Sequence, residues 1–286
     1  EFRRVLFRSS APQLYRVDDD DAAECFDDPT MYDNKYSRGV VGVLAGAHYP
    51  GAGLLTVRAA RWGGAGMVRQ VGATFTEELA TVVHHPKLTK KIDADAWVVG
   101  PGLGAAAPDL LEKLLATSAP LVIDADALNA LSSAKDLRKA LRKRNGLAVL
   151  TPHGGEARRL AAGFDLQWSD QPAELARRLA QASRAVVYLK GSIGVVATPT
   201  GTVYATHRTT EHLATAGSGD VLAGFLGGLL AASPPQDADE LARQTAAAII
   251  VHSRAAELVD LDGGPVIASD IEENLPAAMA DLISGL

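Results

Sequence analysis

The sequence predicts a three-layer α/β fold, in which a mainly parallel central sheet carries helices on both faces. Three observations indicate this fold. Short apolar runs rich in β-branched residues recur along the chain, helix-like segments separate most of them, and glycine or polar residues follow them. Near-continuous apolar strands alternating with helices are typical of a parallel sheet that is covered on both faces.

The predicted elements follow from these runs in chain order. Six apolar runs are the predicted strands: 40–45, 96–100, 120–124, 147–151, 185–190 and 194–198. A seventh strand at 202–206 is joined to the sixth by Pro-Thr-Gly, which predicts a hairpin on the edge of the sheet. Helices are predicted between the strands at 53–62, 107–117, 135–144, 155–162 and 172–182. From residue 219 the chain is mostly helical, with helices over 219–232, 238–259 and 269–284.

One domain is predicted over residues 38–286, because no internal repeat and no linker-like stretch interrupts that range. Residues 11–37 are acidic and turn-rich, which favours a linker or a partly ordered lead-in. Residues 1–10 have neither the apolar region of a signal peptide nor the period of a helix or strand. We interpret them as a non-native scar.

Composition excludes several classes of protein. A formal charge of −6 argues against a nucleic-acid-binding surface. No apolar run reaches the roughly 18 residues of a membrane span, so no membrane partner is predicted. Cys25 is the only cysteine, which excludes an intrachain disulfide and indicates a reducing, cytoplasmic compartment.

Five predicted strands are followed by glycine-rich or polar segments. These segments are GAHYPGAG, GPGLG, DADALNAL, TPHGGE and KGS. Ligands of α/β folds collect at the carboxyl ends of parallel strands, so the five segments are predicted to line one cleft. The chain has no Walker A pattern, and no acidic residue stands where a dinucleotide-binding fingerprint requires one.

The segment ATAGSGDVLAG (214–224) crowds small residues around one carboxylate, immediately before a long apolar run. Glycines at a helix start let the backbone approach a ligand, and free N–H groups there attract anions. We interpret the N–H groups of Gly217, Ser218 and Gly219 as the holders of a transferring phosphoryl group. Asp220 then accepts the proton of the attacking hydroxyl as catalytic base. The alternative is that Asp220 only caps the helix.

Two further segments carry carboxylates at strand ends. In TPHGGE, Glu156 is the candidate ligand for Mg²⁺, directly or through water, because Mg²⁺ keeps several waters and few protein ligands. The alternative is that Glu156 lies in the first turn of a helix, where its charge favours the macrodipole. In IDADALN, Asp124, Asp126 and Asn129 orient a substrate or brace the loops.

Six motifs, taken together, resemble those of the NAD(P)H-hydrate dehydratase family, whose members have a ribokinase-like fold. They are KYSRGVVGVLAG…YPGAG, GPGLG, IDADALNAL, LTPHGGEARRL, LKGS and ATAGSGDVLAG, from about Asp33 to the C-terminus. The resemblance implies repair of the hydrated cofactors NADHX and NADPHX. A nucleotide phosphorylates the ring hydroxyl of the S epimer, and loss of phosphate restores NAD(P)H. It implies ADP as the co-substrate, giving AMP and phosphate, with ATP in eukaryotic members.

Carried over position by position, the resemblance implies two sets of binding residues. The hydrate-binding positions are Ala52, Gly104, His153 and Asp220. The nucleotide-binding positions are Lys190, Gly191, Ser192, Ile193 and Gly194, together with Gly219. Gly154 stands where the family usually has Pro, which loosens that loop. Gly194 stands where it usually has Thr, which removes a hydroxyl contact to the nucleotide and leaves backbone contacts in place.

The resemblance also implies a homotetramer and, as in many bacteria, a native fusion to an N-terminal epimerase domain. Two other functions stay open on the residues alone. A hydroxyethylthiazole-type kinase of the same superfamily shares the glycine–Asp turn but is not expected to carry both GPGLG and TPHGGE. A catalytically inactive nucleotide-binding or scaffolding protein is the third reading, and the intact Asp220 argues against it. Neither the choice between ADP and ATP nor the preferred hydrate follows from the sequence.

Overall fold

The computed structural model describes residues 14–75, 79–260 and 265–285, so the predicted scar at 1–10 lies outside the described residues. Those ranges contain one ten-stranded sheet and ten α-helices. The strands are β1 (Leu14–Arg16), β2 (Val40–Ala45), β3 (Met67–Gly72), β4 (Val82–His85), β5 (Ala96–Val99), β6 (Leu121–Ile123), β7 (Ala148–Leu150), β8 (Val186–Leu189), β9 (Ile193–Ala197) and β10 (Val203–Arg208). The helices are α1 (Asp19–Ala23), α2 (Pro50–Ala60), α3 (Ala107–Leu115), α4 (Ala125–Ser133), α5 (Lys135–Lys143), α6 (Gly154–Gly163), α7 (Pro172–Ser183), α8 (Ser218–Ala232), α9 (Ala238–Asp260) and α10 (Ala268–Ser284).

The sheet is mainly parallel, as the sequence predicts. Its strand order is β1–β10–β9–β8–β7–β6–β5–β2–β3–β4. Strand β9 runs antiparallel to β8 and β10, and every other pair is parallel. The predicted hairpin is therefore confirmed as β9 and β10. Its predicted place at the sheet edge is wrong, because β1 pairs with β10 and is the outermost strand on that side.

Two apolar cores cover the two faces of the sheet. Because successive strand residues point to opposite faces, Val41 and Val43 pack in one core while Val40 and Leu44 pack in the other. Helices α2, α8, α9 and α10 cover the first face, and α3 to α7 cover the second. This three-layer arrangement explains why the strands lack the polar alternation of a half-exposed sheet. Within the described ranges no helix is long and apolar enough to cross a bilayer.

The described part of the acidic segment, residues 14–37, contributes to this domain. Strand β1 extends the sheet, and the Asp18 and Asp21 side chains form a capping box at the start of α1. The Arg254 guanidinium on α9 lies 2.8 Å from the Asp19 carboxylate, and Ala22 is fully buried. The acidic composition conceals these short elements because its charges cap a helix and pair with arginine.

Three elements within the domain were not predicted. Strands β3 and β4 carry polar side chains such as Gln70 and His84, so they lack the apolar run that identifies the central strands. Helix α4 lies where a loop was expected after the strand at 120–124. It begins directly after Asp124, with Ala125 at a φ of 45° and no side-chain cap on its first turn. Its N-cap, Asp124, is also the last residue of the predicted strand, so no loop separates the helix from the strand before it.

A buried carboxylate joins α2 to α10 behind the sheet. The Glu272 side chain is fully buried, and its oxygens lie 2.7 Å from Arg58 Nε and 3.5 Å from an Arg61 nitrogen. It also accepts a 2.6 Å hydrogen bond from the Trp62 indole. The neighbouring Glu273 is 63% exposed and pairs with Arg58 at 3.0 Å.

We expect Glu272→Ala to lower the free energy of unfolding by about 3 kcal/mol, because it removes a buried acceptor shared by two guanidinium groups. Urea denaturation followed by circular dichroism measures the change. Glu273→Ala is the matched control, and loss of its exposed ion pair costs about 0–1 kcal/mol. Equal losses in the two variants would contradict the structural role assigned to Glu272.

Candidate active site

The loops that follow five parallel strands lie side by side along the side of the sheet where these strands end. Five parallel strands are neighbours in the order β8, β7, β6, β5 and β2. Their carboxyl ends therefore point to the same side of the sheet. The first turn of α8 reaches this side as well. A Cβ placed on Gly219 would lie 2.9 Å from the Lys190 ammonium at the end of β8. The structure thus brings ATAGSGDVLAG and KGS together, although they are distant in sequence.

The glycine turn before α8 depends on one backbone conformation. Gly217 is the N-cap of α8 and has a φ of 91°, in the region that L side chains rarely adopt. A Cβ there would also lie 2.5 Å from Leu55 Cδ1. The Ser218 N–H donates to the Thr215 carbonyl at 3.3 Å, whereas the Gly219 N–H belongs to the open first turn, which has no intrahelical acceptor.

Asp220 lies in this first turn but does not cap it. The cap residue is Gly217, and no side chain caps the helix start. The pKa of the Asp220 carboxyl is raised to about 7, mainly because burial disfavours its charged form, and secondly because of the neighbouring Asp124 carboxylate. The Lys190 ammonium acts in the opposite direction. A carboxyl that titrates near neutral pH suits a catalytic base.

A buried ion pair lies beside the glycine turn. The Lys190 ammonium is 2.7 Å from Asp124 Oδ1, and the Thr151 hydroxyl donates to the same oxygen at 2.7 Å. The Lys190 backbone N–H donates to the Pro152 carbonyl at 2.9 Å. These contacts join the ends of β6, β7 and β8. The sequence indicated that Asp124 braces a loop or orients a substrate, but it gave no sign of its pairing with Lys190.

Glu156 and His153 form a capping box at the start of α6. Glu156 accepts from the His153 N–H at 2.9 Å, and the His153 imidazole accepts from the Gly155 N–H at 3.0 Å. Burial and the Asp124 carboxylate raise the pKa of Glu156. The contacts correspond to the first-turn alternative. The part of the chain that the structure describes holds no group of three or more histidine, cysteine or acidic side chains placed to bind a metal.

The two remaining positions predicted to bind the hydrate, Ala52 and Gly104, lie where the GPGLG loop packs on the HYPGA segment. The Gly104 N–H donates to Asp126 Oδ2 at 2.7 Å, and the ring of His48 lies against the Gly104 backbone. The His48 N–H donates to the Gly102 carbonyl at 3.1 Å. Ala52, in the first turn of α2, lies near Gly102. Asp126 links this pair of loops to the Asp220 side, because it is among the charges that raise the pKa of Asp220.

The KGSIG segment turns from β8 into β9. Gly191, Ser192 and Ile193 are exposed, and their backbone is held by Thr209, which donates to the Ser192 carbonyl at 2.9 Å. A Cβ on Gly194 would lie 2.8 Å from the Thr206 hydroxyl, so that neighbour fills the space a larger residue would need. By contrast, nothing lies within 4 Å of a Cβ on Gly154.

A buried histidine supports the glycine turn from behind. His252 on α9 lies 3.3 Å from the Ser218 hydroxyl, and burial together with the Lys190 charge lowers the pKa of His252 to about 3. The imidazole is therefore neutral in the folded protein. The sequence predicted a helix over 238–259 but could not indicate this contact, which spans 34 residues.

The fold and the site together define a ribokinase-like α/β protein. A ribokinase-like superfamily protein of Enterococcus faecalis shares this fold with a TM-score of 0.76 at 22% identity, over 95% of this chain and 97% of that one. An ADP/ATP-dependent NAD(P)H-hydrate dehydratase of Bacillus subtilis, co-crystallised with ATP and Mg²⁺, gives a TM-score of 0.76 at 23% identity, over 93% and 97%. The predicted fold class is confirmed.

The chain belongs to the NAD(P)H-hydrate dehydratase family, whose model matches residues 41–277. It is 41% identical to the bifunctional NAD(P)H-hydrate repair enzyme Nnr of Mycobacterium leprae, over 92% of this chain and 55% of that protein. It is 34% identical to the ADP-dependent (S)-NAD(P)H-hydrate dehydratase of Neisseria meningitidis serogroup B, over 86% and 85%. The chain thus spans about half the length of the bifunctional relative.

We expect Gly217→Ala to destabilise the protein by about 1–2 kcal/mol, because alanine is strained at this positive φ and its methyl group meets Leu55. The midpoint of thermal unfolding measures the loss. Gly154→Ala is the control: its methyl group meets open space at the start of a helix, so stability is unchanged or rises by up to about 1 kcal/mol. A Gly217→Ala protein as stable as wild type would contradict the assigned turn.

Proposed function

We propose that the chain catalyses the nucleotide-dependent dehydration of the S epimer of NAD(P)H hydrate, which restores NAD(P)H. The observation that carries the proposal is Asp220, a carboxyl with a pKa near 7, placed at the open first turn of α8 beside the Lys190 ammonium. Membership of the family and the ADP-dependent relative support the choice of reaction.

In this mechanism Asp220 removes the proton of the ring hydroxyl while that oxygen attacks the terminal phosphorus of the nucleotide. The bond between this phosphorus and the bridging oxygen breaks. When ADP is the phosphoryl donor, the leaving group is AMP. Phosphorylation converts hydroxide into a good leaving group. The lone pair of the ring nitrogen then expels phosphate, and loss of a proton from the adjacent ring carbon restores the double bond. The net reaction removes water from the hydrate and hydrolyses ADP to AMP and phosphate.

The binding residues divide between two parts of the cleft. We assign the nucleotide to Lys190, Gly191, Ser192, Ile193 and Gly194 and to the turn of Gly217, Ser218 and Gly219. The exposed backbone at Gly191 and the open N–H at Gly219 are available to phosphate oxygens. We assign the hydrate to Ala52, Gly104, His153 and Asp220, around the packed GPGLG and HYPGA loops.

This site can bind a magnesium ion that has few protein ligands and takes its other ligands from water and the nucleotide. Oxygen donors suit Mg²⁺, which commonly binds through one or two carboxylates, waters and substrate phosphates. We assign Glu156 to hold Mg²⁺ through water, since the His153 N–H already occupies one of its oxygens. When bound, the ion neutralises charge on the phosphates of the nucleotide.

The proposal also covers the fusion partner, the cellular location and the oligomeric state of the enzyme. The bifunctional relatives, about twice as long as the matched region, support a native fusion of this chain to an epimerase domain. A cytoplasmic location agrees with a substrate derived from NAD(P)H. The family resemblance supports a homotetramer.

The decisive test incubates the protein with NADHX, Mg²⁺ and either ADP or ATP, and follows the absorbance of regenerated NADH. We expect NADH to form with ADP, together with AMP and free phosphate. A kinase would instead leave the phosphate on the organic product, which phosphorus NMR detects. Failure to form NADH with either nucleotide would refute the dehydratase proposal.

Asp220→Asn tests the catalytic base. We expect turnover to fall by about 10²–10⁴-fold, the usual contribution of a positioned base, while ADP still binds. The folded-state pKa of Asp220 is raised, so its stabilising effect is present at low pH and is lost as the pH rises through about 7. The variant should therefore unfold at a higher temperature than wild type at pH 8 but not at pH 4. Retained turnover would remove Asp220 from the base role.

The pH dependence of kcat/KM tests the same residue in the wild-type protein. Because the base must be ionised, activity should rise with pH along a limb whose midpoint lies near 7. Rates measured from pH 5.5 to 8.5 at saturating Mg²⁺ define the limb. An activity that is already constant at pH 5.5 would mean that a group with an ordinary carboxyl pKa, or no base, controls the rate.

A further inference from the structure

The position of the Lys190 ammonium needs a physical cause. It lies against the first turn of α8, where a Cβ on Gly219 would be 2.9 Å from Nζ. The N-terminus of a helix carries partial positive charge, so a cation placed there is repelled. Some other group must hold the ammonium at this point.

Asp124 is the group that holds it. Asp124 is 2% exposed and its Oδ1 lies 2.7 Å from Lys190 Nζ. The backbone of Asp124 is fixed at the end of β6, since its N–H donates to the Val99 carbonyl at 3.1 Å and its carbonyl accepts from the Ala127 N–H at 3.1 Å. The Thr151 hydroxyl fixes the same carboxylate oxygen at 2.7 Å. The carboxylate is therefore rigid in both its main chain and its side chain.

The other acids of the cleft are engaged elsewhere. Asp126 accepts from the Gly104 N–H, and Glu156 accepts from the His153 N–H. Within the described ranges Asp220 makes no ion pair with the ammonium, although the Lys190 charge lowers the pKa of Asp220. Among the described residues, Asp124 is the carboxylate paired with Lys190.

We infer that Asp124 is a positioning residue: it holds the Lys190 ammonium at the α8 glycine turn, where both meet the phosphate chain of a nucleoside diphosphate. The inference rests on the proposed nucleotide site. Asp124 acts through Lys190, because its Oδ1 binds the ammonium at 2.7 Å and the ammonium is nearer than Asp124 Oδ2 to the Cβ position of Gly219, at 2.9 against 3.9 Å. The position of the ammonium also explains why residue 219 is a glycine, since a Cβ there would displace the ammonium.

This role and a simple charge effect predict opposite results. If Asp124 only added negative charge to the cleft, its removal would reduce repulsion and tighten the binding of an anionic nucleotide. If it positions Lys190, its removal frees the ammonium and weakens binding. Asp124→Asn removes the charge with little change of shape. Asp124→Glu keeps the charge but moves it by one methylene, so a pure charge effect would leave affinity unchanged.

The experiment is a double-mutant cycle on the affinity for ADP with Mg²⁺, measured by calorimetry in the absence of hydrate. We expect Asp124→Asn and Lys190→Met each to weaken binding by about tenfold. The double variant should bind no more than about twofold worse than Lys190→Met, because Asp124 has no effect without the ammonium. Asp124→Glu, which preserves the net charge, should also weaken binding. In turnover, Asp124→Asn should raise the KM for ADP and leave the KM for the hydrate unchanged.

Asp126→Asn is the matched control, since it removes a nearby carboxylate that does not contact Lys190. It should leave the affinity for ADP unchanged or raise it. Additive effects of Asp124→Asn and Lys190→Met, or tighter binding by Asp124→Asn, would overturn the inference while leaving the proposed reaction intact. Coupled effects on ADP binding in a protein that regenerates no NADH would support the inference and refute the reaction. If Asp124→Asn does not fold, the Asp124→Glu and Lys190→Met pair decides the matter.

Discussion

The ion pair between Asp124 and Lys190 is the interaction on which the geometry of the cleft depends. It joins the ends of two strands that are not neighbours, β6 and β8, across β7, whose Thr151 hydroxyl binds the same carboxylate oxygen. Charges of this kind are stable when buried only if further hydrogen bonds satisfy them. The pair therefore fixes the ends of β6, β7 and β8, next to which the first turn of α8 lies.

The placement of α8 depends equally on small residues along its length. A Cβ on Gly224 would overlap the Thr56 carbonyl, and one on Gly228 would overlap the Ala60 carbonyl, so α8 packs directly on the backbone of α2. At its start, the N-cap Gly217 lies under Leu55 and Ala268. The glycines of this region therefore have two separate purposes. Those within the helix bring it close to α2, and Gly219 at its start leaves room for the Lys190 ammonium.

The sequence predicted the elements whose burial is uniform. The central strands are covered on both faces, so their apolar runs were visible, and α8 and α9 were identified by their length and apolar character. Elements stabilised by polar contacts were not predicted. Helix α1 is capped by Asp18, and α4 follows β6 directly, with Asp124 as its N-cap. In both cases local charge or an abrupt strand-to-helix change hid the element.

The same distinction holds for the site. Asp220 could be singled out because the glycines beside it are close in sequence. The charged groups that shift its pKa come from distant segments of the chain. The Asp124–Lys190 pair spans 66 residues, and the contact between Ser218 and His252 spans 34. No spacing rule connects such residues, because the sheet order decides which strand ends are neighbours.

Several carboxylates lie together in the cleft. Asp124, Asp126 and Glu156 all raise the pKa of Asp220, and the Lys190 ammonium acts on it in the opposite direction. Burial and repulsion by these carboxylates raise the pKa of Asp220 to about 7, so the carboxyl gains and loses its proton near neutral pH. In the proposed reaction this proton reduces the negative charge that the nucleotide meets on entering. The ionised form accepts the proton of the hydroxyl, so under this proposal one pKa serves both the binding of an anion and the removal of a proton.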